Sequence, residues 1–455
     1  MAVAASALAV TLGDRTRIDD NGWRMNEVAG DKLAEPRDAG TARVQRRHII
    51  YVSGYDPRGA RGYYDLFRRG CERFQQLWPA TVTLQQPDLA ADDFAHWDFD
   101  LRGADWQVAT RYEFLRTENF IRADMKKPAV QQALRALGWY ADDVVSGAQF
   151  RIFRASWRFA VHLLCFQLLA LAWTAAAAIV GIGCGYVLTT YLRWPAPFGI
   201  VVGLAVGFGG LIAMRPLAQR WRLIQISSCW STLRRFGRGR PTWIDEVVEA
   251  GARGVLAAAH AGNTDELAIV GHSTGGVIAS AIVARALELN PDLGKSGPRL
   301  VLLTLGSVMP AVALHPAAHR MRAVVRTLAV AKNLVWVDCQ SRKDVMCFAN
   351  FDPVEGVGAQ AGSQRCNPLL WRIAFRDMIA PEDYNRFRWN HFRVHYQYIL
   401  AGDRPAPYDY VLLVGGPMPI AAWPQRDREL MTTFMEDAAP GGARASAAAV
   451  IGAVS

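Results

Sequence analysis

The stretch Glu266-Leu-Ala-Ile-Val-Gly-His-Ser-Thr-Gly-Gly276 decides how this chain folds. Its first five residues form a short, mostly apolar run, the pattern of a strand buried on both faces of a parallel sheet. Residues 276–289 follow with helical spacing and stop at Asn290-Pro291, because proline cannot continue a helix interior. Between them stands Gly271-His-Ser-Thr-Gly275, a Gly-x-Ser-x-Gly turn with a further glycine behind it. In a strand–turn–helix the glycines leave room for a sharp bend that lifts Ser273 clear of the sheet. The positive end of the helix dipole then points at its hydroxyl. The three parts together predict a nucleophilic serine rather than an ordinary glycine-rich turn.

Outward from this motif, short apolar runs alternate with helical ones. Residues 48–52 read as a strand ending in Ser53-Gly54, and 81–84, 106–115, 299–305 and 333–337 as further strands. Residues 63–77 place Tyr64, Phe67, Cys71, Phe74 and Leu77 on one helical side. Residues 243–259 do the same with Ile244, Val247, Val248, Ala252 and Val255. Such alternation predicts an α/β fold with a mostly parallel sheet flanked by helices.

One segment breaks the pattern. Residues 159–192 contain no Asp, Glu, Lys or Arg, and after Arg193-Trp-Pro-Ala-Pro197 the uncharged run continues to Met214. Each run approaches or exceeds the roughly 20 apolar residues a membrane span requires. Gly181 and Gly185 in the first, and Gly199, Gly203 and Gly207 in the second, recur at the spacing that lets two helix backbones approach closely. Arg151, Arg154 and Arg158 precede the pair, Arg215, Arg220 and Arg222 follow it, and the turn holds only Arg193. By the positive-inside bias this is a transmembrane hairpin with both flanks cytoplasmic. The competing reading is a buried helical hairpin or an apolar lid over the active site. The expected organisation is therefore a partly disordered leader (1–44), a first part of the catalytic domain (45–150), the hairpin with its basic flanks (151–225), a second part carrying the catalytic residues (226–425) and an Ala-rich tail (426–455).

Composition narrows the class. The 455 residues carry 51 Lys and Arg against 41 Asp and Glu, a net charge of +10 spread along the chain without a nucleic-acid-binding signature. An anionic membrane surface suits this excess better than nucleic acid. The apolar N-terminus lacks the basic region of a secretory signal and reads as a leader rather than an export sequence. Seven scattered cysteines without a C-x-x-C pair argue against a disulfide framework or a structural zinc site, and for a reducing compartment.

Acyl transfer needs two N–H donors for the oxyanion. Thr274, next to the serine, supplies one, and Tyr55, in the Ser53-Gly-Tyr-Asp-Pro-Arg-Gly59 loop after the 48–52 strand, can supply the other. Its GHSTGG elbow makes the sequence resemble the α/β-hydrolase superfamily, in particular the lipase and esterase branch, over roughly residues 45–150 and 225–425. The chain reads Ser53-Gly54 where many members have His-Gly, and the hairpin lies as an insertion between that loop and the elbow. The resemblance implies the chain order serine, acid, histidine. Asp338 belongs to the end of the 333–337 strand, so the acid is Asp344, in Arg-Lys-Asp-Val, or else Asp352, in Phe-Asp-Pro-Val. The base is His395 or else His391, both following an alternating 386–389 run expected as the last strand.

These residues predict a membrane-anchored serine hydrolase that cleaves a carboxylic ester, a lipid among the candidates, through a Ser-His-Asp triad and an acyl-enzyme. No metal or organic cofactor is called for. The expected partners are the ester or lipid substrate and the bilayer, not nucleic acid. The expected location is the bacterial inner membrane, with the catalytic domain in the cytoplasm. An acyltransferase using the same acyl-enzyme, or a catalytically idle scaffold of this fold in a membrane complex, are the alternatives.

Overall fold

A computed structural model describes residues 43–436; nearly all of the expected leader and the tail beyond 436 lie outside the described residues. The chain begins with β1 (Arg46–Val52), α1 (Gly59–Leu77), β2 (Thr81–Leu84), β3 (Phe94–Arg102) and β4 (Gln107–Leu115). A run of helices follows: α2 (Glu118–Met125), α3 (Ala129–Val145), α4 (Ala148–Ala155), α5 (Trp157–Thr190), α6 (Ala196–Ala213), α7 (Arg215–Arg220), α8 (Leu223–Gly237) and α9 (Trp243–His260). Then come β5 (Glu266–His272), α10 (Gly275–Leu289), β6 (Arg299–Leu305), α11 (Met309–Ala313), α12 (His319–Val330), β7 (Val335–Gln340) and β8 (Leu369–Arg372). Four helices complete it: α13 (Pro381–Phe387), α14 (His391–Tyr396), α15 (Tyr410–Gly415) and α16 (Trp423–Glu436).

The strands form one mixed sheet in the order β2-β3-β4-β1-β5-β6-β7-β8. From β4 to β8 every neighbouring pair is parallel, while β2–β3 and β3–β4 are antiparallel. All seven residues of β5 are buried, which is why its sequence lacks the polar alternation of a half-exposed strand. Alternate residues feed two cores. Ile50, Val52, Leu267, Ile269, Leu300 and Leu302 join α8, α9 and α10 on one side. Ile49, Tyr51, Ala268, Val270, Val301 and Leu303 join α1 and α15 on the other.

Two elements differ from the sequence expectations. The run 386–389 is not a strand: Phe387 ends α13, which Pro381 opens with Glu382 and Asp383 in its first turn, the arrangement that favours a helix start. The last strand is β8, seated against β7 at Val337↔Leu369. Strand β3 had no counterpart in the sequence reading, although Ala95, Trp97, Phe99 and Leu101 face inward in strict alternation.

Helices α5 and α6 are long and apolar enough to cross a membrane. They pack antiparallel through their glycines. A Cβ on Gly181 would stand 2.6 Å from the Gly203 carbonyl oxygen, and one on Gly185 would stand 2.9 Å from that of Gly199. The outer faces are bare: Ile182 is 72% exposed and Val201 64%. The first half of α5 is different. Phe159, Ala160 and Leu163 are buried with Ile50 and Val52, and Gln167 donates to the buried Asp143. Trp173 packs with Ala218, Leu223 and Ile224. One face of the helix therefore belongs to the domain for its first several turns, while Val161, Leu168, Leu169 and Leu171 on its other side are already exposed.

This location sets where the hairpin can be removed. Ala177 lies against Gly207 and Gly210, so replacing 178–206 with a short Gly-Ser linker should give a protein that stays folded and soluble without detergent. Excising 159–214 instead removes buried Phe159 and Leu163, at about 3–5 and 2–5 kcal/mol respectively, and should yield aggregate. Sedimentation and thermal melts of the two deletions check this.

Candidate active site

Ser273 occupies a left-handed backbone conformation, φ 60°, a conformation that costs a non-glycine residue on the order of 1–3 kcal/mol and persists only where its surroundings enforce it. The glycines around it provide that enforcement. A Cβ on Gly275 would stand 2.1 Å from the Val52 carbonyl oxygen, one on Gly271 2.6 Å from that of Gly275, and one on Gly276 2.4 Å from Ser307 Oγ. The Ser273 N–H donates to the Leu305 carbonyl at 2.9 Å. The turn is thus wedged between the ends of β1 and β6.

Asp344 lies in the loop after β7, its Oδ1 accepting the Met346 N–H at 2.8 Å. Its Oδ2 stands 2.7 Å from His395 Nδ1, and both side chains are almost wholly buried. That contact places the Nδ1 proton toward Asp344 and leaves Nε2 as the basic nitrogen. His395 and Ser273 line the same cleft. Among the described residues no hydrogen bond joins them, and such catalytic bonds commonly tighten only with substrate in place.

The other candidates are placed elsewhere. Asp352 caps a turn, accepting the Val354 and Glu355 N–H groups, and pairs with Arg365 at 2.7 Å. His391 is exposed, edge-on to His162 with ring centroids 6.0 Å apart. Asp338 sits within β7, bonded to Thr304 Oγ1 and Gln340 Nε2, and burial pushes its carboxyl up to about 6.

The Gly54–Asp56 loop lies against the serine: a Cβ on Gly54 would come within 3.3 Å of Ser273 Cβ. The Tyr55 N–H, expected as an oxyanion donor, donates here to Thr274 Oγ1 at 2.7 Å. The Thr274 amide stands at the start of α10, where backbone N–H groups lack intrahelical partners. Two features of this region escaped the sequence reading. Asp56 Oδ2 accepts from Tyr396 at 2.6 Å and Tyr63 at 3.3 Å, tying the loop to the helix that carries His395. His272 stands 2.9 Å from the His395 carbonyl through Nε2. Burial, and after it the nearby His395, lower its pKa to about 3, so the ring is neutral and Nε2–H donates.

The cleft is narrow, about 120 Å³. Phe159, Leu163 and Phe166 of α5, Ile226 and Trp230 of α8, and Phe392 form its apolar walls. A larger groove of about 720 Å³ lies by Arg46, Asp98 and Arg111, at the opposite ends of the strands, and contains none of these groups. Asp142, Asp143 and His315 come close enough together to suggest a cation site. Arg234 pairs with Asp143 at 2.9 Å and Arg238 contacts both Asp142 and His315, so guanidinium groups already balance that charge.

Compared with family models, curated proteins and solved structures, the chain has no significant match in any of the three.

The buried His272 carries a pH signature. Its folded pKa, about 3, lies below the ordinary 6.5, so between these values the unfolded chain binds more protons. The stability this provides is complete above pH 6.5 and is lost as pH falls toward 3. His272→Gln removes the titration while keeping a donor, so the drop in melting temperature from pH 7 to pH 4.5 should be smaller than in the native protein. Melting curves in detergent at both pH values measure it.

Proposed function

We propose that this chain is a membrane-anchored serine hydrolase of the α/β-hydrolase type that cleaves a carboxylic ester. The observation that carries the reading is the buried Asp344–His395 pair, 2.7 Å apart, opening on the same cleft as a serine held at φ 60° at a strand–helix turn. Strain of that kind at an exposed-side hydroxyl has no packing purpose and suits a nucleophile.

In this mechanism Ser273 Oγ bonds to the acyl carbon as its proton passes to His395 Nε2. The ester C–O bond breaks and the alcohol leaves with that proton. Water then attacks the acyl-enzyme, giving a proton to Nε2, and the acid departs as Ser273 Oγ regains it. Asp344 holds the imidazole tautomer and stabilises the imidazolium. The Thr274 amide, joined by Tyr55 when its N–H exchanges the threonine hydroxyl for the oxyanion, stabilises the tetrahedral intermediate. None of these steps requires a metal or organic cofactor.

The apolar α5–α6 pair anchors the enzyme, and the arginines outside it favour a cytoplasmic catalytic domain on the bacterial inner membrane. Reporter fusions should be cytoplasm-active at Gly147 and Gly237, and export-dependent only near Ala196. The reverse pattern overturns the topology.

A fluorophosphonate probe tests the chemistry. It should label the native protein and not Ser273→Ala, whose ester hydrolysis should fall by about 10⁴ or more. Asp344→Asn should lower turnover by about 10⁴, while Asp352→Asn should retain most of it. An unlabelled native protein points to a scaffold, and products formed on competing alcohols point to acyl transfer.

A further inference from the structure

The cleft has a direction. Along α8 its lining runs from Arg222, at the helix start, through Gln225 and Ile226 to Cys229 and Trp230, a rise of about 12 Å. Along α5 it runs from Phe166 to Phe159, about 10 Å. The outer ends of both runs lie where the apolar hairpin rejoins the domain: Leu211 and Met214, at the end of α6, pack with Trp173, Leu223 and Ile224, and Leu223 is the residue after Arg222. The mouth of the cleft therefore stands at the base of the two apolar helices, with exposed Trp221 beside it, a residue type that settles at membrane interfaces.

Arg222 marks that mouth. Its guanidinium lies 4.3 Å over the Phe392 ring, and among the described residues it has no carboxylate partner. It is held in a left-handed backbone, φ 59°, which a non-glycine residue adopts at a cost. The neighbouring cation Arg58 is paired with Asp56, and Arg215 donates to the Met125 carbonyl. The one acidic residue lining the cleft, Asp56, is taken up by Tyr63, Tyr396 and Arg58. A planar guanidinium with an aromatic face on one side and no carboxylate partner among the described residues, at the interfacial end of an apolar slot, matches a phosphate.

We propose that Arg222 holds the phosphate of an anionic phospholipid drawn from the leaflet at the hairpin's base, and that an acyl ester of that lipid is the bond presented to Ser273. This rests on the hydrolase reading above. Arg222 and Ser273 line one continuous cleft, so the arginine selects the substrate and the apolar walls take its chain.

The experiment compares phosphatidylglycerol, phosphatidylcholine and diacylglycerol at equal surface fraction in mixed detergent micelles, using the full-length enzyme. The native protein should favour phosphatidylglycerol over diacylglycerol in kcat/KM by about tenfold or more, the size of one charge-assisted contact. Phosphatidylcholine, which carries the phosphate without the net charge, should be no worse than intermediate. Arg222→Gln should lower that preference about tenfold, mainly through KM, and Arg222→Lys should restore part of it. Melting curves confirm that the variants fold. Arg220→Gln, beside the cleft but not lining it, should keep the preference; an equal loss there means general surface attraction and overturns the assignment. Equal rates on phosphatidylglycerol and phosphate-free diacylglycerol overturn it as well, as does competition by inorganic phosphate without any headgroup preference, which marks a free-phosphate site. Failure of the hydrolase reading is distinct: neither ester turnover nor probe labelling of Ser273 occurs with any lipid.

Discussion

The site depends on a backbone contact that leaves no room for a side chain. The carbonyl oxygens of Val52 and Ser53 fill the space where a Cβ on Gly275 would stand, 2.1 and 2.6 Å away. That contact presses the end of β1 against the start of α10 and brings Gly54 onto Ser273. It adds a contact at their ends to the parallel pairing of β1 and β5. The loop after one strand and the turn after the other therefore touch, Gly54 against Ser273.

From that contact the rest of the site is assembled by buried polar ties rather than by chain proximity. Asp56 reaches Tyr396 across most of the sequence, and His272 reaches the His395 backbone. Both link the β1–β5 centre to α14, so the helix bearing His395 is held from the loop side and the elbow side together. Asp124 plays a similar part further out. Burial alone raises its pKa, but hydrogen bonds from Lys127, Arg135 and Tyr55 hold it below the usual carboxylate range, and it keeps Tyr55 in place through the phenol. Such networks are costly when half satisfied and rigid when complete.

How much of this was legible in the sequence follows from how local each signal is. The elbow was readable because strand, glycines and helix are contiguous and each has one physical meaning. The strands at 48–52, 81–84, 266–270 and 299–305 were readable from their short apolar or β-branched runs between breaks. Asp344 and His395 could be named only through chain order in a resembling family; their meeting at 2.7 Å is a tertiary event. Strand β3 was missed although its period-two pattern was present, because His96, Asp98 and Asp100 make it look polar. The 386–389 run was misread because four alternating residues carry less information than a proline and two acids at a helix start. Nothing in the sequence marks His272 or Asp56 as supports of the helix bearing His395, since the His395 carbonyl and Tyr396 lie more than a hundred residues away from them.

Helix α5 serves two environments with one unbroken rod. Its 34 residues span about 51 Å, and neither glycine nor proline stands between Trp157 and Val180, so it has no joint where bending is easy. Its near end is a wall of the cleft that Ser273 and His395 line, and its far half is the stretch proposed to lie in lipid. A helix pair adjusts to bilayer thickness by tilting. A stiff shaft cannot tilt at one end alone, so under that proposed placement a change in bilayer thickness would be felt at the wall of the cleft.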